Sequence, residues 1–368
     1  MLATNVCPTV AELYRLADAD ERESALRAVV VRRFGGPEVL ELCEWPDPHA
    51  GPGEVVVGVR AVTVGRTLDV EARTRGADFH AKLPRVPGAD PAGVVVEVGD
   101  GVSRFAPGDR VLCTGTLFCG RCDACAEGRT NACDDHRVVG VHIDGGDAEL
   151  VALPAVSLEP IPAEVSFEQA AAMAVSYPVA WNLLRHRAAV EAGDTVLVMG
   201  AAGGLGIAGV LVARALGARV IAAAASDAKL ACVRDLLGAD ETVNYSAPGW
   251  ADGLSGVAVV FENISEPELF DAALGTLRPY GRLVTCGAHG GGTVALDVRK
   301  LYRRRLAIIG DTGASVAVTR EVFAAVADGR LPPPPVLHTF PLEEIAAAHE
   351  AASGRDLFGR AVVTVGMN

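Results

Sequence analysis

The chain has 368 residues, of which 50% are apolar and 21% are charged. This is the composition of a folded globular protein and not of a disordered chain. At roughly 100–200 residues per domain, the length predicts two domains. The 46 acidic and 33 basic residues leave a formal charge of −13, which repels phosphate backbones and argues against nucleic acid as a partner.

The first 25 residues are predicted to be an extension that carries one helix. Thr9 and Glu12 fit a capping box, and apolar residues recur on one face of residues 9–25. The segment is acidic and lacks the basic start and apolar run of a secretory signal. We therefore expect a cytoplasmic protein.

One uncharged stretch, residues 195–213, resembles a membrane span by hydropathy alone. Its five glycines lie between a short Val/Leu run and an Ala/Val/Leu run. That arrangement is typical of a buried strand, a turn and a helix in a parallel sheet, so no membrane association is expected.

Residues 26–165 are predicted to form an all-β domain. Short valine-rich runs alternate there with Gly-Gly-Pro, Gly-Pro-Gly and Pro-Gly-Asp turns, and we find no helical period. The predicted strands are residues 28–31, 54–61, 93–99 and 110–113.

From residue 166 onward, strand and helix patterns alternate, which predicts a parallel sheet covered by helices. The predicted elements are residues 167–187, 195–199, 204–217, 219–224, 227–237, 257–261, 267–277, 282–286 and 306–310. Beyond four prolines at 332–335, a helix (342–352) and a strand (360–365) are expected to return to the first domain.

The glycine-rich turn between the strand 195–199 and the next helix predicts a dinucleotide site. Glycine allows close approach of the backbone to a pyrophosphate, and free N–H groups at a helix N-terminus attract the anion. A structural turn without ligand is the alternative. The residues of this predicted site are Gly200, Ala202, Gly203, Gly204, Leu205 and Gly206.

The residues that follow the next strand favour NADP(H) over NAD(H). Ala224 stands where NAD-binding domains usually place an acid for the ribose 2′-hydroxyl. Ser226 and Lys229 offer a hydrogen bond and a positive charge to a 2′-phosphate, although Asp227 opposes them. Lys229 as a solvated helix residue is the alternative.

Four of the nine cysteines, Cys119, Cys122, Cys125 and Cys133, are spaced so that their thiolates converge on one Zn²⁺. Four sulfur ligands leave no open coordination position, so the predicted zinc is structural. A pair of disulfides is the alternative, which a cytosolic compartment disfavours.

Taken together, these motifs resemble the medium-chain dehydrogenase/reductase superfamily, which includes zinc-type alcohol dehydrogenases and quinone oxidoreductases. The resemblance covers residues 26–366. The further segments that carry it are Gly99-Asp-Gly-Val, Pro107-Gly-Asp109, Gly193-Asp-Thr-Val-Leu-Val, Leu237-Gly-Ala-Asp240 and Gly281-Arg-Leu-Val.

The resemblance implies an α/β protein with two domains. A GroES-like β domain would comprise residues 26–165 and 318–368, with a structural zinc lobe at 113–136. A Rossmann domain with a doubly wound parallel sheet would comprise residues 166–317. It also implies hydride transfer in the cleft between the domains and a homodimer or homotetramer.

The departures from the superfamily are informative, because zinc-dependent members bind a second, catalytic metal. By the resemblance, its ligand positions fall on Gly65, Ala89 and Val175, none of which can bind a metal. The segment 61–76 is longer than usual, so Asp69 is an alternative occupant of the first position.

The resemblance also suggests which residues act on substrate and cofactor. Thr67 matches a hydroxyl beside the lost ligand, Tyr177 lies on a segment that would face the cleft, and Arg66 matches a position that in some relatives touches the pyrophosphate. The alternatives are packing roles for Thr67 and Tyr177 and a solvated loop position for Arg66.

Without a Lewis acid, reduction of an isolated ketone is difficult, whereas hydride addition to a conjugated double bond gives an enolate that hydrogen-bond donors can stabilise. We therefore predict an NADPH-dependent reductase of enones or enoyl thioesters that keeps one structural zinc. The alternatives are a quinone or carbonyl reductase, an alcohol dehydrogenase with an unusual metal site, and an NADPH-binding protein without turnover.

Overall fold

The computed structural model describes residues 25–76 and 78–366. The predicted helix over 9–25 therefore lies outside the described residues, except for Ala25, which begins the first strand. Within the described part of the chain, no helix is long and apolar enough to cross a membrane.

The strands of the described residues are as follows. In chain order they are β1 (Ala25–Val31), β2 (Leu40–Pro46), β3 (Glu54–Val64), β4 (Ala92–Val98), β5 (Arg110–Cys113), β6 (Thr116–Leu117), β7 (Arg137–Val138), β8 (Leu150–Pro154), β9 (Leu158–Pro160), β10 (Thr195–Met199), β11 (Arg219–Ala224), β12 (Glu241–Asn244), β13 (Val257–Glu262), β14 (Leu277–Thr285), β15 (Ala307–Gly310), β16 (His338–Pro341) and β17 (Ala361–Thr364).

The α-helices follow the same chain order. They are α1 (Ala72–Thr74), α2 (Asp123–Ala126), α3 (Phe167–Met173), α4 (Ser176–Trp181), α5 (Gly204–Ala215), α6 (Asp227–Leu237), α7 (Pro267–Thr276), α8 (Val298–Arg304), α9 (Val316–Ala327) and α10 (Ile345–Ser353). Two π-helical segments, Arg66–Glu71 and Asn182–Arg187, adjoin α1 and α4.

The Rossmann domain contains a six-stranded parallel sheet with the strand order β12-β11-β10-β13-β14-β15. The central strands β10 and β13 are almost wholly buried because helices cover both faces, which explains their uninterrupted apolar sequences. The strand order reverses direction between β10 and β13. Ligands of such sheets bind at this point, beyond the carboxyl ends of the strands.

The GroES-like domain contains a seven-stranded sheet in which β3 is central. Strands β4 and β8 pair with β3, and β17 pairs with its last four residues in antiparallel register. The returning segment thus completes the first domain, as the sequence predicted. The valines of β3, β4 and β17 form the core of this domain.

The prediction of no helix in residues 26–165 is wrong at one functionally relevant place. Residues Arg66–Glu71 form a π-helical turn that continues as α1, and the amide of Val70 bonds to the carbonyl of Gly65 five residues earlier (3.1 Å). A π turn accommodates one extra residue in a helix, in agreement with the extra length of this segment. The helix was missed because nine residues are too few to show a helical period.

The domain boundary drawn at residue 318 falls inside α9. This helix begins at Val316, is capped by the Ser315 side chain, and packs Val322 and Phe323 into the core that contains α4 and α5. The domain limits themselves remain a prediction.

Candidate active site

The glycine-rich turn joins β10 to α5. Gly203 caps α5 without a side chain, and no acidic residue occurs in its first turn, so the terminal N–H groups are free to bind an anion. A Cβ on Gly206 would lie 2.0 Å from the carbonyl oxygen of Gly200. This close approach explains why glycine is required there.

Arg360, which sequence reasoning missed, lies against this turn. A Cβ on Gly204 would lie 2.7 Å from Cγ of Arg360, and the amide of Gly359 donates to the carbonyl of Ala202 (2.8 Å). The guanidinium therefore stands beside the expected position of the pyrophosphate, where its charge favours phosphate binding.

A buried carboxylate holds Arg360 in place. Nη1 of Arg360 lies 3.2 Å from Oδ2 of Asp90. The Thr63 amide donates to Oδ1 of the same carboxylate, and the Thr63 hydroxyl donates to Oδ2. Asp90 thus forms an ion pair. The only sequence signal for Arg360 was indirect: Asp90 lies in an apolar segment, and a buried carboxylate needs a partner.

The residues predicted to select NADP(H) lie together beyond β11. Ala224 is buried, Ser226 precedes α6, and Nζ of Lys229 donates to the carbonyl of Arg355. The guanidinium of Arg355 lies near Tyr245. Burial raises the pKa of Tyr245, and the charge of Arg355 only partly opposes this effect. Arg355, which the sequence did not suggest, adds a second cation to the group.

Of the three positions inferred for a catalytic metal, Ala89 and Val175 border the same glycine, and Gly65 contacts Asp69. A Cβ on Gly115 would contact both the Ala89 carbonyl (3.1 Å) and the Val175 side chain (3.2 Å), and the Gly65 amide donates to Oδ2 of Asp69 (2.6 Å). Burial and the nearby Asp90 raise the pKa of Asp69 to about 7. Asp69 thus lies next to Gly65, at the first inferred ligand position, but it adds only one ligand group.

Thr67 and Tyr177 differ in their surroundings. Thr67 is exposed in the π-helical turn beside Arg66, which is also exposed. Tyr177 is fully buried, and its hydroxyl donates to the carbonyl of Pro332 (2.8 Å). Its only hydroxyl proton is therefore already used, so the catalytic role predicted for Tyr177 is replaced by a packing role.

The loop after β14 approaches the π-helical turn of the other domain. His289 in this loop lies 3.8 Å from Glu71 in the π-helical turn. Neither residue could be recognised from the sequence, since they are far apart in the chain and belong to different domains.

The predicted zinc site is formed by one lobe of the GroES-like domain. Among the described residues, only one group of three or more metal-ligating side chains converges: the Sγ atoms of Cys119, Cys122, Cys125 and Cys133 lie within 4.8 Å of one another. The amides of Arg121 and Cys122 point at Sγ of Cys119 and lower its pKa to about 6. Four sulfur donors with amide support fit a structural Zn²⁺.

The fold agrees with that of known proteins. Two family models match: the alcohol dehydrogenase GroES-like domain over residues 51–163 and the zinc-binding dehydrogenase domain over residues 204–328. The quinone oxidoreductase of Rattus norvegicus is 31% identical, with 89% of this chain and 94% of the relative covered. The chain belongs to the medium-chain dehydrogenase/reductase superfamily. It is therefore an oxidoreductase with a GroES-like and a Rossmann domain, as predicted.

Further members of the superfamily differ in their named activities. The acryloyl-coenzyme A reductase of Metallosphaera sedula is 31% identical, with 92% of this chain and 100% of the relative covered. A crystal structure described as an NAD-dependent alcohol dehydrogenase is 38% identical, with a TM-score of 0.86 and coverage of 92% and 100%. A 2-octenoyl-CoA carboxylase reductase solved with NADP and 2-octenoyl-CoA is 25% identical, with a TM-score of 0.82 and coverage of 97% and 90%.

Proposed function

We propose that this chain is an NADPH-dependent reductase of activated, conjugated C=C bonds in enones or enoyl thioesters. The observation that carries the proposal is the chemistry of the three positions inferred for a catalytic metal, which hold Gly65, Ala89 and Val175. None of these side chains has a ligand atom, and among the described residues no group of three or more metal-ligating side chains other than the four cysteines converges. A metal-free site favours a substrate whose charge delocalises in the transition state.

The choice of cofactor rests on the group beyond β11. Ser226, Lys229 and Arg355 present hydrogen-bond donors and positive charge where the adenosine 2′-phosphate would lie, and Ala224 replaces the acid that would repel it. The octenoyl-CoA reductase structure with bound NADP supports this choice, whereas the NAD-dependent alcohol dehydrogenase is the strongest comparison against it.

The residues of the chain are assigned roles in binding the cofactor and in activating the substrate. When bound, the cofactor supplies hydride to the β-carbon of the acceptor. The N-terminus of α5 and Arg360 hold the pyrophosphate, and Asp90 fixes Arg360. Thr67, which is exposed, would donate a hydrogen bond from its hydroxyl to the carbonyl oxygen, where negative charge develops.

The test is product analysis by NMR after incubation with NADPH and a conjugated enone. We expect the saturated carbonyl compound. Thr67→Val should lower kcat by about 100-fold, as for loss of one oxyanion donor, while Thr67→Ser retains most of the activity. An allylic alcohol would instead establish carbonyl reduction.

Three alternatives give different results. Reduction of quinones but of no enone would indicate a quinone reductase, as in the rat relative. An alcohol dehydrogenase with an unusual metal site requires two zinc ions per chain, whereas our proposal requires one. Tight NADPH binding without turnover on a broad acceptor panel would indicate a binding protein.

Two further expectations remain part of the proposal. A homodimer or homotetramer is supported by β15, which forms one edge of the six-stranded sheet and leaves Ile308 partly exposed. A cytoplasmic location is predicted from the sequence alone.

A further inference from the structure

The loop that follows β14 is held firmly against the end of β13. The amide of Gly290 donates to the carbonyl of Ile264 (2.6 Å), and the hydroxyl of Ser265 donates to the carbonyl of Gly287 (2.7 Å). The buried carboxylate of Glu262 accepts from the amides of Ile264 and Ser265. His289 is therefore presented by a fixed backbone, at the carboxyl end of the sheet where substrates of this fold react.

The imidazole of His289 lies beside the carboxylate of Glu71. Nδ1 lies 3.8 Å from Oε1 of Glu71, and the two side chains are 39% and 30% exposed. Glu71 follows Thr67 by four residues in the π-helical turn. The imidazole is thus partly exposed and lies beside the π-helical turn that also carries Thr67.

We propose that His289 donates the proton that the α-carbon takes up after hydride addition, and that Glu71 positions its imidazolium. The inference rests on the proposed function. The hydride adds to the β-carbon, the C=C electron pair becomes an enolate, and Nε2–H of His289 transfers its proton to the α-carbon. His289 is left neutral and regains a proton from solvent.

The charges around His289 fix the direction of its pH dependence. Arg66 and Glu71 face it from the π-helical turn, and Glu262 faces it from β13. Burial and Arg66 lower the pKa of His289 below 6.5, while the two carboxylates oppose them. Since the acid form donates, kcat/KM for double-bond reduction should be greatest in weak acid and should fall as the pH rises through this pKa.

The experiment compares His289→Gln with His186→Gln in the presence of NADPH and 2-methylcyclohex-2-enone. His186 is a matched control because it is 40% exposed and pairs with Glu321, which lies in α9 and not in the π-helical turn. We expect His289→Gln to lower kcat by about 100-fold, to abolish the pH dependence, and to yield racemic 2-methylcyclohexanone. The wild-type protein and His186→Gln should yield one enantiomer.

A second variant, Glu71→Gln, tests the positioning role without removing the acid. Loss of the carboxylate should lower the pKa of His289, seen as a shift in the NMR titration of its imidazole protons in the free protein, and should move the pH profile in the same direction. NADPH affinity, followed by fluorescence, should stay unchanged in both variants.

The outcomes separate the two levels of the proposal. If the wild-type protein reduces no double bond, the proposed function fails and this inference with it. If it reduces the double bond and His289→Gln keeps the enantiomeric excess and the pH profile, only the role of His289 is refuted. An unchanged imidazole titration in Glu71→Gln would refute the positioning role.

Discussion

Lys229 lies in the first turn of α6, where its side chain reaches the carbonyl of Arg355. Lys229→Ala should lower kcat/KM for NADPH by about 10- to 100-fold and leave that for NADH nearly unchanged, since a charge-assisted hydrogen bond contributes about 1.5–3 kcal/mol. Steady-state kinetics with both cofactors measure this ratio. Lys300→Ala is the control because Lys300 pairs with Asp271 in α7, and an equal loss with both cofactors would contradict the assignment.

Asp69 makes stability depend on pH. Its pKa of about 7 lies above the ordinary value of about 3.9, so the folded protein keeps a proton that the unfolded chain has released. The contribution of the Asp69 carboxyl to the free energy of unfolding is therefore fully present below about pH 4 and is lost as the pH rises to 7. Asp69→Asn should be more stable than wild type at pH 8 by a few kcal/mol, at about 1.4 kcal/mol per pKa unit.

Urea denaturation at pH 5 and pH 8 checks this expectation. The quantity to compare is the difference in free energy of unfolding between wild type and variant. The variant also relieves the repulsion that Asp69 exerts on Asp90 and Asp147, which acts in the same direction at pH 8. Asp328→Asn, an exposed position paired with Arg330, serves as the control. Parallel pH dependence of wild type and Asp69→Asn would show that the carboxyl is ionised in the folded protein.

Among the elements, the zinc lobe is connected to the Rossmann domain. The Val316 amide donates to the Thr130 hydroxyl (3.0 Å), and the Asn131 side chain donates to the carbonyl of Thr312 (3.1 Å). Loss of the metal should therefore loosen the start of α9 as well as the lobe.

Cys125→Ser should reduce the zinc content from one ion per chain to none and lower Tm. Hydrogen exchange should rise both in the lobe and at the start of α9. Elemental analysis and exchange mass spectrometry measure these effects. Cys232→Ser is the matched control because Cys232 lies outside the cluster. Two zinc ions in the wild-type protein would contradict our account of the active site.

Elements with a clear period could be predicted from the sequence. Strands 195–199 and 219–224 and helix 227–237 agree with β10, β11 and α6 at both ends, because apolar runs and a glycine-rich turn limit them. The π-helical turn at Arg66–Glu71 could not be predicted, since a turn of six residues is too short to show a helical period in the sequence.

For the whole molecule, the predictable part of the site is the part built from contiguous sequence: the glycine-rich turn and the cysteine lobe. The rest depends on pairings between distant segments. Asp90 and Arg360 are 270 residues apart, and His289 meets Glu71 only because the two domains face each other. The role of Tyr177 could not be predicted for the same reason, because it depends on a tertiary contact with Pro332.

The position of β17 has a consequence for how the protein is made. This strand pairs with residues 61–64 of β3, yet the entire Rossmann domain is synthesised between them. While the nascent chain leaves the ribosome, this part of β3 has an open edge that can pair with other strands. The Rossmann domain can therefore fold first, and the first domain to be translated is the last to be completed.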